Sequence, residues 1–314
     1  MILPGDVFIE TKKIMWKEKF HIGFFLVLIN IIVFLFVSAP EFLNDKKNNQ
    51  IKKQNQLFQA DTLKNMFDQT QGVDVSMASD QGSLSFLKDR LFWDRSQKFP
   101  FQGDAVAIAK NKQMILELKN LYQESTQFKF GLGPEATTPW AWLTYQFMHA
   151  GFVHLLMNMI FLILIGNILI TRVDPEWILL VYVVGGIGAG ISYLFFAQNN
   201  DIAMVGASGS LCALISFLCV VENKKNIKWS YFISPMKDGY GIIYMPAYLL
   251  FPVYLISDFT SVLYHANGVA AGAGGAVAHS AHIGGALTGF ILGFVYIMLK
   301  QKSNSILPEQ SLGA

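Results

Sequence analysis

Charge and cysteine are what this 314-residue chain has least of. Only 15% of its residues are Asp, Glu, Lys or Arg, against about 25% in soluble domains. That deficit excludes an ordinary soluble globule. The formal net charge of +2 is too small for the basic surface that a nucleic-acid partner would need. The two cysteines, Cys212 and Cys219, lie seven apart in one apolar run, two helical turns along one face. That separation is too long for a disulfide, so both read as small buried hydrophobes. No third or fourth ligand is spaced with them, and no HExxH pair occurs among the six histidines. Neither a metal site nor a cofactor is therefore expected. Internal repeats are lacking as well. The one biased tract, Gly268–Ala278, reads as a flexible outer loop.

Long apolar runs are what is present. Hydrophobic residues make up 53% of the chain and the mean hydropathy is +0.38. Crossing the hydrocarbon core takes about 20 mostly apolar residues as a helix. Six segments qualify, Ile22–Ala39, Gly151–Ile170, Trp177–Ala197, Ala203–Val221, Ile242–Leu263 and Ala281–Leu299. Pro246 and Pro252 should kink the fifth. The first reads as a retained span, longer than the apolar region of a signal peptide.

Lys12, Lys13, Lys17 and Lys19 precede the first span, and Arg172 follows the second. Lys224, Lys225, Lys228 and Lys237 follow the fourth, and Lys300 and Lys302 the sixth. With six crossings these clusters share one side, which the positive-inside rule makes the cytoplasm. Both termini are then cytoplasmic, while Gln198–Ile202 and Tyr264–Ser280 face outward. Low cysteine use and compact size suggest a bacterial plasma membrane. The expected fold class is an all-α membrane protein, a six-helix bundle with a long outer loop after helix 1. Residues 1–40 hold the N-terminus and first span, 41–139 the outer loop, 140–300 the core and 301–314 the tail. Within the loop, Asp45–Gln56 reads as linker, and Gln54–Gln71, Leu84–Lys98 and Ala105–Gln127 as helices. The expected role of these helices is an amphipathic subdomain lying on the membrane.

Ionisable groups in a membrane cost roughly 2.5–3.5 kcal/mol at mid-helix and often mark function. Ser208 sits in Gly206-Ala207-Ser208-Gly209 at the start of the fourth span. Small neighbours admit a close backbone approach, and an amide at a helix start can donate to an anion. The same four residues also suit plain helix packing. His282 opens the sixth span and shares a face with Gly285, Gly289 and Gly293, a spacing that lets another helix come very close. A serine and a histidine at similar depth on two glycine-rich helices can meet as nucleophile and general base. His154 and Asn158, four apart on the second span, offer N–H donors for an oxyanion or a hydrogen-bonded helix contact. His149 lies five residues earlier and can orient the loop. Asp258 reads as an interfacial, hydrated carboxylate, and His279 as a loop residue.

Three motifs in this order resemble the rhomboid family of intramembrane serine proteases. They are His149-x4-His154-x3-Asn158, Gly206-Ala207-Ser208-Gly209 and Ala281-His282-x2-Gly285-x3-Gly289. The resemblance covers about residues 135–300. It implies a serine-type endopeptidase that cuts transmembrane segments of membrane proteins within the bilayer. Ser208 would be the nucleophile and His282 the base. The Ser208 amide, His154 and Asn158 would form the oxyanion hole, with His149, Gly206, Gly209, Gly285 and Gly289 in support. The alternative is a non-cleaving, rhomboid-like binder of membrane proteins. Two positions depart from the family pattern. Trp140-Ala141-Trp142 lacks the arginine that often follows the tryptophan, and Cys212 stands where a tyrosine often stacks on the histidine.

Overall fold

The computed structural model describes residues 2–4, 22–40, 123–133, 138–196, 203–223, 226–232, 240–249 and 279–306, with isolated positions between 105 and 120. Seven α-helices are named here. They are α1 (Ile22–Val33), extended by a π-helical turn at Phe34–Ser38, α2 (Thr126–Phe130), α3 (Ala141–Thr144), α4 (Phe152–Leu169), α5 (Pro175–Phe196), α6 (Ser208–Val221) and α7 (His279–Ile306). By length and composition α4, α5 and α7 can each cross a membrane, and α1 and α6 are shorter apolar helices. Pro175 opens α5 where its missing N–H costs nothing.

Helix α6 is the centre of the molecule. Every residue from Gly209 to Val220 is buried. A helix apolar all round has no face for solvent, so it must be enclosed by others. Helices α5 and α7 pack on it through glycines. A Cβ at Gly285 would collide with the Gly209 carbonyl, and one at Gly289 with the Ala213 carbonyl. A Cβ at Gly293 would stand 2.7 Å from the Val220 Cβ. Residue numbers rise together along both helices, so α6 and α7 run parallel and begin at the same end. Gly185 meets Ala213 from α5, and Gly188 admits the Thr288 hydroxyl of α7. The outward surfaces of α4, α5 and α7 carry exposed apolar residues such as Phe152, Val153, Phe195, Phe196 and Phe294, as lipid-facing surfaces do.

The expectation of an all-helical chain is corrected in one place. A three-stranded antiparallel sheet joins β1 (Ile2–Pro4), β2 (Asn226–Phe232) and β3 (Tyr240–Pro246), in the order β1-β2-β3. Registers run from Ile2↔Tyr231 to Pro4↔Trp229 and from Asn226↔Pro246 to Phe232↔Tyr240. Residues 242–246, assigned above to the fifth span, are therefore strand, followed by a 3₁₀ turn at Ala247–Leu249. Pro246 closes an edge strand, where its missing donor is tolerated. The chain is thus mostly rather than wholly helical. The sheet sits beyond Val221, at the end of α6 opposite Ser208.

The start of the fourth span also shifts. Ala203 and Met204 are extended, with Met204 bridged to Leu132, and Gly206 has φ +130°. The helix accordingly begins at Ser208. The described positions between 105 and 123 are helical, and the chain turns at Glu124–Ser125. There the Ser125 hydroxyl accepts from the Phe128 amide at 3.2 Å and caps α2. The linker Asp45–Gln56, the helices expected at Gln54–Gln71 and Leu84–Lys98, and the remainder of the fifth span from 250 lie outside the described residues. So do Gln198–Ile202, Asp258, His265, Gly268–Ala278, and most of the lysines used for orientation.

Candidate active site

Ser208 is the first residue of α6 and is half-buried. The residue before it, Ala207, has no side chain with which to cap, and its carbonyl takes the first helical bond from Leu211 at 2.9 Å. The amides of Ser208, Gly209 and Ser210 therefore have no acceptor within the helix. His282 is half-buried in the first turn of α7. Gly209, next to Ser208, faces Ala281, next to His282: a Cβ on Gly209 would stand 3.7 Å from the Ala281 carbonyl oxygen. The glycine contacts along α6 and α7 thus set the two first turns side by side.

The second motif arrives from α4. A Cβ on Gly206 would stand 2.8 Å from His154 Cε1, 3.0 Å from His154 Nε2 and 3.8 Å from Asn158 Nδ2. Only glycine leaves that room, and only glycine adopts φ +130° without strain. His154 and Asn158 therefore lie against the turn that leads into Ser208. Asn158 is buried, and its Nδ2 has no hydrogen-bond partner among the described residues. Such an idle buried donor costs stability and has a use only when an acceptor arrives. His154 also lies within electrostatic range of His282.

His149 is buried beside His154, its ring edge-on to that of His154 with centroids 5.2 Å apart. Nδ1 donates to the Phe147 carbonyl at 3.3 Å, which leaves Nε2 as the unprotonated nitrogen. Burial, with the neighbouring His154, pushes its pKa down to about 3, so the ring is neutral at physiological pH. His279 stands edge-on to His282, centroids 6.4 Å apart, as part of α7 rather than a loop. Cys212, one turn along α6 from Ser208, is a buried thiol. Among the described residues no three His, Cys, Asp or Glu side chains gather as a metal site would require.

Three supports of this cluster escaped the sequence reading. The Tyr145 carbonyl accepts the Gly206 amide at 2.9 Å, while its hydroxyl donates to the Gly186 carbonyl. The Gln146 Oε1 accepts from the Ser210 hydroxyl at 3.0 Å. Leu132 and Met204 exchange both backbone bonds, at 2.9 and 2.7 Å, and Gln127 Nε2 donates to the Ala203 carbonyl at 2.9 Å. A lone glutamine between apolar residues was the one available signal for Gln146. The Tyr145–Gly206 and Leu132–Met204 bonds join backbone atoms and left no mark on residue type.

These features define a mostly helical membrane protein in which the turn into Ser208 meets His154, Asn158 and the first turn of α7. The rhomboid domain family matches residues 136–299, just over half of the chain, and the chain belongs to the rhomboid family. It is 31% identical over 163 residues to RHOMBOID-like protein 4 of Arabidopsis thaliana, covering 51% of this chain and 34% of that protein. Against RHOMBOID-like protein 6, mitochondrial, of the same plant, identity is 32% over 162 residues, 52% of this chain and 45% of the relative. Rhomboid-related protein 1 of Caenorhabditis elegans is 30% identical over 166 residues, with 50% and 40% covered. The chain spans less than half the length of these relatives. Their plant and nematode origins lend nothing to a bacterial membrane.

Proposed function

We propose that this chain is an intramembrane serine endopeptidase that cuts transmembrane segments of other membrane proteins. Ser208 is the nucleophile. His282 takes its proton as Oγ attacks the scissile carbonyl, and later gives that proton to the leaving amine. The Ser208 amide, the Asn158 amide group and His154 hold the oxyanion of the tetrahedral intermediate. Water then attacks the acyl-enzyme, His282 again accepts the proton, and Ser208 is regenerated as the acid product leaves. His149 supports His154 through its edge-on ring contact. Gly206, Gly209, Gly285 and Gly289 give the close approaches that assemble the site.

The observation that carries this reading is the convergence on one turn. Gly206 abuts His154 and Asn158, and Gly209 abuts Ala281 beside His282. Family membership supports the reaction class, and the short central helix supports the setting. Fourteen residues of α6 span only about 21 Å, against about 30 Å of hydrocarbon. A helix anchored at its far end therefore starts well below the opposite surface. Non-helical backbone at such depth survives only inside protein or beside water, and Ala203, Met204, Gly206 and Ala207 are all buried.

We also infer six crossings, with N- and C-terminal segments on the cytoplasmic side. The β1–β2 pairing supports the shared side, since it ties residues 2–4 to the connection after α6.

The test is cleavage of a transmembrane substrate by purified protein in detergent or liposomes, with fluorophosphonate labelling of the nucleophile. Wild type should cleave and label, and Ser208→Ala should do neither while keeping its melting temperature. Cleavage by Ser208→Ala at the wild-type rate would end the proposal. A folded wild type that binds substrate without cutting or labelling would leave the binder reading instead.

A further inference from the structure

Tyr145 and Gln146 belong to a single 3₁₀ turn, Tyr145–Phe147, between α3 and α4. The Tyr145 carbonyl holds the amide of Gly206, two residues before Ser208. The Gln146 side chain holds the hydroxyl of Ser210, two residues after it. One dipeptide thus grips both flanks of the nucleophile. The grip itself is braced. Gln146 Nε2 donates to the Trp142 carbonyl at 3.0 Å and the Val183 carbonyl at 3.4 Å. Its own carbonyl accepts from Tyr182 at 3.2 Å, and Tyr182 accepts from Asn30 of α1 at 3.3 Å. Asn30, Gln146 and Ser210 each show 0% exposure. Gly186 of α5 exists as glycine where the Gln146 amide needs the space, since a Cβ there would overlap it.

A buried amide with its polar atoms bonded fixes its surroundings more sharply than apolar packing does. Leucine or methionine would fill the volume at less desolvation cost, so packing alone does not require glutamine. The same turn continues through His149 into α4, which carries His154 and Asn158. It therefore ties the nucleophile's loop to the oxyanion donors.

Resting on the protease reading above, we propose that Gln146 is a positioning residue for Ser208. It acts through Ser210 to hold the first turn of α6 in register with His282 and with the donors of α4. It touches no reacting atom, so its loss slows acylation and leaves substrate binding nearly unchanged.

The experiment compares wild type, Gln146→Met, Ser210→Ala and the double variant in one detergent, well below each melting temperature. It reads the second-order rate of Ser208 labelling by a fluorophosphonate, and kcat and KM on a transmembrane substrate. Gln146→Met should lower the labelling rate and kcat about tenfold, with KM within about twofold. Ser210→Ala should fall in the same direction, and the double variant should be no slower than the slower single one. Wild-type labelling rates in both single variants, or losses that multiply in the double, would overturn the inference. If Gln146→Met does not fold, Ser210→Ala decides alone by its labelling rate. Failure of wild type to label Ser208 would sink the protease reading and this inference with it. Normal labelling of wild type and variants alike sinks only this one.

Discussion

At the scale of single residues, the site is built from groups placed where they cost stability. Asn158 Nδ2 is buried with no partner among the described residues. Removing one oxyanion donor from a soluble serine protease costs about 10²–10³ in rate. Asn158→Leu, close in shape, should slow cleavage by about that factor while the melting temperature stays level or rises, since an idle buried donor is gone. A melting temperature that falls in step with activity would make Asn158 structural. Gly206 is constrained twice, by φ +130° and by the His154 ring 2.8 Å from where a Cβ would stand. Gly206→Ala should lose about 1–3 kcal/mol of stability and most labelling, and unfolding curves with labelling rates would check both. His149 gives a pH dependence. Its folded pKa of about 3 lies below the ordinary value of about 6.5, so between these pH values the unfolded chain binds a proton that the fold refuses. The contribution is fully present above about pH 6.5 and is lost as pH falls toward 3. Melting midpoints should drop from pH 7.5 to pH 5, and less steeply in His149→Gln. Equal slopes in both proteins would remove His149 from the account.

At the scale of elements, the decisive contact is the parallel pair α6 and α7. Gly285 and Gly289 face backbone carbonyls near Ser208, and Gly293 faces the Val220 Cβ, held almost as firmly, at the far end of α6. Gly289→Val should separate the helices, cost about 1–3 kcal/mol or more, and abolish labelling. Gly293→Ala, which clashes about three turns from Ser208, should cost stability but less labelling than Gly289→Val. Equal losses of labelling in both would mean that the glycines set no register at the site. The spacing of these glycines was legible in the sequence because helical periodicity fixes which residues share a face. The strand at Tyr240–Pro246 was not read. A short continuous apolar run does not by itself distinguish strand from helix. Its pairing partner Asn226–Phe232 does alternate, with Ile227, Trp229 and Tyr231 set against Lys228 and Ser230, and that period of two was the missed signal.

At the scale of the whole molecule, the loop before Ser208 is held from two sides. Leu132 and Gln127, at the end of the long insertion after α1, bond Met204 and Ala203, and Tyr145 bonds Gly206. The insertion is thus attached to the core at the threshold of the site. At the other end of α6, β1 ties residues 2–4 to the connection that follows. The proposed topology puts Lys12 and Lys302 on one side and Asn199 on the other. Single cysteines at these positions should react with an impermeant maleimide from opposite sides of sealed membranes. The native Cys212 and Cys219 are buried and should add little background. Labelling of all three positions from one side would refute the topology.

Composition and periodicity were enough to make this a membrane chain, to locate the first three apolar helices within two residues and the fourth and last more loosely, and to single out Ser208, His282, His154 and Asn158. These properties are local: hydropathy acts along a segment, and ionisable groups in apolar runs stand out one at a time. The grip of Tyr145 and Gln146 on either side of Ser208, the bridge from Leu132 to Met204, and the sheet that gathers β1 with the hairpin were decided only in three dimensions. They join residues far apart in the chain, largely through backbone N–H and C=O groups. Every residue type carries those groups, so no sequence pattern announces which of them will meet.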